Sequence, residues 1–317
     1  MLFRSGQSQA SLSNVQNTGN ITIGTKTNDT IEFKYYAIFG GVVGEFNAGT
    51  YTVNKVSNTG NIDINIKYTT TDNYQTTAYG ALIGLANRTL TLTDCYNTGN
   101  ITIGEKYYND KTHMSVGGFF GVLNGTLSLT NCYNRGTVKV EAGAAVKKDQ
   151  HVGGLAGFIN KAVTIDATNG FRNIGTVEAY NNSTVTGKNY VGGVGGNVSG
   201  SVKQAQVFCD VVAPGATQVG MIVGASRGSS QAQNCKLGGK IAKSLNSDGT
   251  PNFKTVWRSN SKGGEVDPET GEELGEDPNA PKGEIVPFWD VIYGGTWSGA
   301  SATSCDGCSY IGSITIQ

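Results

Sequence analysis

Few side chains in this sequence stand at spacings that could do chemistry. Cys305-Asp-Gly-Cys308 spells C-x-x-C, the spacing of a redox-active dithiol or of half a zinc site. Zinc needs a second pair of ligands, and no other C-x-x-C or histidine pair accompanies this one, so Cys308 reads as a buried structural cysteine. A bridge to Cys305 is the favoured disulfide if one forms. Gly224-Ala-Ser226-Arg-Gly228 has the spelling of a serine nucleophile elbow, which requires a strand-to-helix turn and a histidine base. The chain holds 2 histidines. They are His113 and His151, which read as a surface-loop residue and a strand-start residue. Glu45, Asp63, Asp94, Asp166, Glu178 and Asp210 fall in different columns of the repeat described below. The paired carboxylates of a glycosidase are therefore not expected on one face. Asp267-Pro-Glu-Thr-Gly lacks the oxygen spacing of a calcium loop. No catalytic residue, metal ligand or cofactor follows from these motifs.

Aromatic residues supply the remaining candidates. Tyr35, Tyr36, Tyr68, Tyr74, Tyr107, Tyr108, Tyr180 and Tyr190 collect in insertions between repeats, amid Asn and Thr. A row of exposed tyrosines suits stacking on a sugar or contact with a protein. Packing back over the strands is the competing role.

Composition sets the frame that must position them. Glycine is 46 of 317 residues, proline 6, and charged residues 15%. With abundant Asn and Thr this is a turn-rich, strand-rich profile and not that of a helical bundle. Lys+Arg and Asp+Glu balance at 24 each, which argues against nucleic acid or an anionic membrane as partner. No apolar run is long enough to span a bilayer as a helix, and the start, Met1-Leu-Phe-Arg-Ser-Gly, lacks the apolar core of a signal peptide.

A repeat dominates the chain. Val56-Ser-Asn58-Thr-Gly60-Asn-Ile-Asp-Ile64, Cys95-Tyr-Asn97-Thr-Gly99-Asn-Ile-Thr-Ile103 and Cys132-Tyr-Asn134-Arg-Gly136-Thr-Val-Lys-Val140 are one motif. Val15 and Phe171 begin two further copies, and Cys209, Cys235 and Cys308 begin weaker ones. The shortest step between these marks, 26 residues from 209 to 235, gives the size of a bare coil. Four residues after seven of the eight marks stands a glycine, pointing to a turn that needs positive φ or close backbone approach. Ile-x-Ile alternation follows and reads as a half-buried strand. Segments such as Gly117-Gly-Phe-Phe-Gly121 and Gly153-Gly-Leu-Ala-Gly157 supply a second strand, and Leu90-Thr-Leu92-Thr and its relatives a third.

Three short strands per repeat predict an all-β, right-handed parallel β-helix, a β-solenoid of about eight coils. At about 4.8 Å per coil it would rise roughly 35 to 40 Å. Residues 1–317 form a single domain, with a long mobile insertion at about 245–287 that is acidic and rich in Pro and Gly. The core is expected as ladders. One carries Cys95, Cys132, Cys209, Cys235 and Cys308; another carries Asn17, Asn58, Asn97, Asn134 and Asn173 before turning apolar at Val211 and Leu237. Stacked amides satisfy buried backbone groups, which is a structural role. Smaller insertions at about 24–36, 65–78, 104–115, 141–150 and 180–189 should line up along one edge.

Val152-Gly-Gly-Leu-Ala-Gly157 and its relatives resemble the GLUG repeat of bacterial, Bacteroidota-type surface adhesins, and the likeness extends over nearly all of residues 10 to 240. The resemblance implies a secreted or cell-surface β-helical region and carries no active-site residues to transfer. Met1 enters in mid-repeat and Ile314-Thr-Ile316-Gln317 ends on an uncapped strand, so adjoining domains in a longer chain are expected. Function is expected to be adhesin-like: loops on one edge of a rigid rod meet a glycan or a host or cell-surface protein outside the cell, with no insertion into a membrane. A passive spacer is the second reading, and a polysaccharide lyase or glycoside hydrolase the third.

Overall fold

The computed structural model describes residues 9–24, 37–68, 76–161, 163–165, 170–180, 187–227 and 232–259, with short segments at 265–266, 273–274, 285–287, 305–306 and 308–310. Among them there are strands and turns and no helix. The strands stack in parallel as a β-solenoid of about five turns.

Two of the parallel sheets are six strands deep. They come from the G-G-x-x-G segments, which the sequence reads as one strand per repeat and which are two. Ile38–Gly40, Thr76–Gly80, His113–Gly117, Gln150–Gly153, Asn189–Gly192 and Gln218–Gly220 form one wall. After a two-residue bend, Val43–Phe46, Ile83–Ala86, Phe120–Leu123, Ala156–Ile159, Gly195–Val198 and Val223–Ser226 form the next. The bend residues Leu82, Phe119, Leu155, Val194 and Ile222 are buried at 0% exposure, so the wall folds inward at this point and leaves a concave surface outside. A Cβ on Gly117 would lie 2.1 Å from the Phe120 carbonyl oxygen, which explains the first glycine of the pair. On Gly118 it would meet the Asn134 side chain at 2.7 Å, which explains the second.

The third wall runs through Thr50–Asn58, Leu90–Thr93 with Tyr96–Asn97, Leu127–Thr130 with Tyr133–Asn134, and their successors. It bends at a residue in the left-handed conformation: Asn14, Lys55, Asp94, Asn131, Gln204 and Asn234 have φ between 52° and 58°. Asn and Asp bear this backbone at least cost after glycine. The fourth wall is the Ile-x-Ile strand, Ile21–Ile23 through Ile241–Leu245.

The turn glycines have a different cause in most coils from the positive φ that a turn can require. Gly60, Gly99, Gly136 and Gly175 are absent from the left-handed region, which among the described members of this column holds only Gly239. Each is there because its Cβ would lie 1.9 to 2.1 Å from the carbonyl oxygen of the glycine one coil below. Beside this column runs the amide ladder. Asn17, Asn58, Asn97 and Asn134 each donate through Nδ2 to the Oδ1 of the next asparagine at 2.7 to 2.8 Å. Each also donates to the carbonyl of the glycine two residues on, at 2.8 to 3.0 Å. Asn58, Asn97, Asn134 and Asn173 are fully buried.

Pairing corrects the register at one mark. Asn173 pairs with Val207 and Val207 with Leu237, so the coil after Phe171 is marked by Ala205 and not Cys209. The step to Cys235 is then 30 residues (235 − 205), longer than the 26 read from the cysteines. Val211 correspondingly leaves the amide column for the Ile-x-Ile column, opposite Val177. Cys209 occupies the glycine column, and its Sγ, 3.1 Å from Asn173 Nδ2, accepts the bond that a further asparagine would have taken. Cys95, Cys132 and Cys235 keep their ladder positions in the core, as does Cys308, which is disulfide-bonded and stands opposite Cys235. The side chain at 305 lies outside the described residues.

Part of the long insertion is strand and not loop. Pro251–Ser259 pairs antiparallel with Ile241–Leu245, covering the end of the Ile-x-Ile wall, and in parallel with Ile285–Pro287.

Candidate functional site

Parts of three of the smaller insertions lie within the described residues and stack in register. Lys67–Tyr68, Tyr108–Asn109 and Ala145–Val146 form a parallel sheet of their own, so at these positions the insertion edge is a built wall. Its inward residues Ile66, Tyr107, Ala144 and Val146 are buried, because apolar and outward-facing residues alternate there as in the coils.

This geometry redistributes the tyrosines. Tyr107 is 1% exposed and points inward, its hydroxyl 3.1 Å from that of Tyr79 and 3.3 Å from Asn109 Nδ2; burial raises its pKa. Tyr190 is also 1% exposed and stacks on His151 with ring centroids 5.6 Å apart. Neither offers a face to a ligand, since each ring is consumed by packing. Tyr108 and Tyr180 are half-buried, and Tyr108 is flanked by the ammonium groups of Lys147 and Lys67 at 5.5 and 5.8 Å from its ring. The Tyr68 side chain and residues Tyr35, Tyr36 and Tyr74 lie outside the described residues. A stacked pair that the C-Y-N motif spells in plain view, Tyr96 on Tyr133 at 5.2 Å with Arg135 over the second ring, faces outward from the third wall.

The inward fold of the G-G-x-x-G wall creates an open groove bordered by the ends of the insertions. One part, of about 260 Å³, gathers Thr76, His113, Asp149, His151, Asn197 and Arg227. The other, of about 370 Å³, has an apolar floor of Leu85, Val122 and Phe158 with Glu45, Asn87 and Asn124 at its rim. Thr76 and Phe158 line both, so the two parts are continuous. The sequence does carry a signal for this rim: an asparagine stands three residues after the last glycine of the motif at 47, 87, 124 and 160. Asn124 Nδ2 donates to Asn87 Oδ1 at 2.8 Å, and Asn87 Nδ2 to Asn47 Oδ1 and Glu45 Oε1 at 3.2 Å each.

Within the groove His151 connects Ser115 and Asn197. Its Nδ1 is 3.2 Å from Ser115 Oγ and its Nε2 is 3.5 Å from Asn197 Nδ2. The order resembles a serine, base and orienting amide, but Ser115 is 0% exposed, so no substrate carbonyl reaches it. Ser226 of the elbow spelling is also fully buried, in a strand paired with Gly195–Val198. Burial, with His113 and Arg227 adding to it, holds His151 down to about 3. His113 is lowered by burial against the opposing pull of Asp149, whose carboxylate is 3.7 Å away.

Because the folded-state pKa of His151 lies below its unfolded value, the ring is neutral in both states above about pH 6.5. Below that the unfolded chain binds a proton that the folded chain refuses. Stability from this residue is therefore lost as pH falls from about 6.5 to 3, by about 4 to 5 kcal/mol in total. The expected result is that His151→Gln shows a shallower decline of the urea midpoint between pH 7 and pH 4 than the parent chain; equal slopes would refute the assignment.

Among the described residues no group of three His, Cys, Asp or Glu side chains is placed to hold a metal ion. Asp63 and Glu178 do share a column, but Thr102 and Lys139 stand between them, so they form no acidic pair. Asp166 lies outside the described residues. Two of the thiols are equally quiet: burial pushes Cys209 up and Cys235 up to about 11, leaving both neutral.

The fold and this surface define the class, a parallel β-solenoid with a groove beside its insertions. No protein-family model, curated protein or solved structure matches the chain.

Proposed function

We propose that the chain is an adhesin-like binding module, secreted or displayed on a bacterial surface, that presents one edge of a rigid solenoid to a glycan or to a host or cell-surface protein. The observation that carries this reading is the registered sheet of the insertions, which places Tyr108 outward between Lys67 and Lys147 beside an open groove. A surface built at one corner in successive coils is what a solenoid uses to meet an extended ligand. The likeness of the G-G-x-x-G segments to GLUG repeats supports the location. In its full form the reading is of a right-handed solenoid of about eight coils.

A glycan and matrix-protein array with the purified chain tests it. Specific binding is expected, and Tyr108→Ala with Tyr180→Ala should weaken it at least fivefold. Folded protein that binds nothing would favour the second reading, a spacer, which the amide ladder from Asn17 to Asn173 suits by stiffening the stack. The buried serines and the separated carboxylates give a lyase or hydrolase no support of this kind.

A further inference from the structure

We infer that the groove between the two G-G-x-x-G walls is a binding site for an extended neutral glycan, distinct from the tyrosines of the insertion edge. A pyranose ring has an apolar C–H face and a hydroxyl edge, and the groove has the same division. Leu85, Val122 and Phe158 follow one another in register as an apolar floor, and Asn47, Asn87 and Asn124 run parallel to them as a row of amides. The amides are oriented before any ligand arrives by their bonds to one another and to Glu45. Arg227 lies 5.8 Å from the Phe158 ring centroid at the far end of the floor, and the Leu85 and Val122 end is open to a sugar.

At that far end Asn197, 1% exposed, has an Oδ1 with no hydrogen-bond partner. A buried unpaired amide oxygen is costly, and a ligand hydroxyl donating to it would remove the cost. A peptide is the poorer fit, because the strands of both walls pair in parallel along the stack and the groove faces present side chains, leaving no free edge there for a peptide strand to extend. Charge points to a neutral chain: Glu45 and Asp149 are offset only by Arg227 among groups charged at pH 7, since burial keeps both histidines neutral.

The test is calorimetric titration of the full chain with cello-, xylo-, manno- and chitohexaose. At least one should bind, and Phe158→Ala and Asn87→Ala should each weaken it tenfold or more, while Tyr96→Ala, on the outer face of the third wall, leaves it unchanged. Asn87 is half-exposed and its replacement keeps the test open if Phe158→Ala fails to fold. Binding lost in Tyr108→Ala and kept in both groove variants would overturn this site while sustaining the insertion-edge reading. No hexasaccharide bound, or an extended peptide bound in a manner sensitive to Asn87→Ala, would overturn it as well.

Discussion

Asn97→Ala is expected to cost about 4 kcal/mol or more of stability, far beyond the loss of one hydrogen bond. The side chain sits in the middle of the amide ladder, accepting from Asn58 Nδ2 and donating to Asn134 Oδ1 and the Gly99 carbonyl, each at 2.8 Å. All of these partners belong to the interior, where water cannot replace the missing amide. Three polar groups are orphaned at about 1 to 3 kcal/mol each. Asn97→Asp should be worse at neutral pH although it conserves shape, because an acceptor then faces two acceptors and a buried charge has no cation beside it. The aspartate's folded pKa would be raised, so the stability of this variant should recover as pH falls towards the unfolded carboxyl value of about 4. Urea midpoints at pH 7 and pH 4.5 check both; an Asn97→Ala variant within about 1 kcal/mol of the parent would show that the ladder is ornamental to the fold.

Gly136→Ala should be comparably damaging, by about 3 kcal/mol or more. The new Cβ would stand 1.9 Å from the Gly99 carbonyl oxygen and 2.7 Å from Asn97 Nδ2. Neither can retreat, since one is backbone in a stacked turn and the other is a ladder member. Gly19 provides the control from the same column. It has no coil below it among the described residues, and the nearest atom to its Cβ is Asn17 Oδ1 at 3.9 Å. Gly19→Ala is therefore expected within about 0.5 kcal/mol of the parent. Equal effects at the two positions would mean that the glycine column reflects local turn preference and not contact between coils.

Much of the stack was legible in the sequence because periodic contacts leave periodic residues. Asn58, Asn97 and Asn134 recur since each needs the next, and Ile62, Ile101 and Val138 recur since they fill one stripe of the core. The reading slipped at Cys209, where a cysteine standing in the glycine column resembles the cysteines that mark other coils; only pairing of Asn173 with Val207 resolves it. The left-handed bend was written as Asn14, Asp94, Asn131 and Asn234 but hidden by Lys55 and Gln204, which hold the same conformation against their own preference.

The site was less legible. Tyr107 and Tyr108 are neighbours of one type, and alternation along a short strand sends one into the core and the other to the surface. The groove depends on an inward fold within a segment that reads as continuous strand, so its floor residues Leu85, Val122 and Phe158 share a position without sharing a chemical signature. Its amide rim alone had a visible period.

The central claim, that this edge of the solenoid binds a ligand, is tested most directly by equilibrium titration of the intact chain with the strongest hit from the array. Saturable binding with one site per chain is predicted, weakened at least fivefold by a replacement at Tyr108 or Asn87 that leaves the melting temperature unchanged. A folded chain that shows no saturable binding to any hit, or binds equally well after both replacements, would contradict the account.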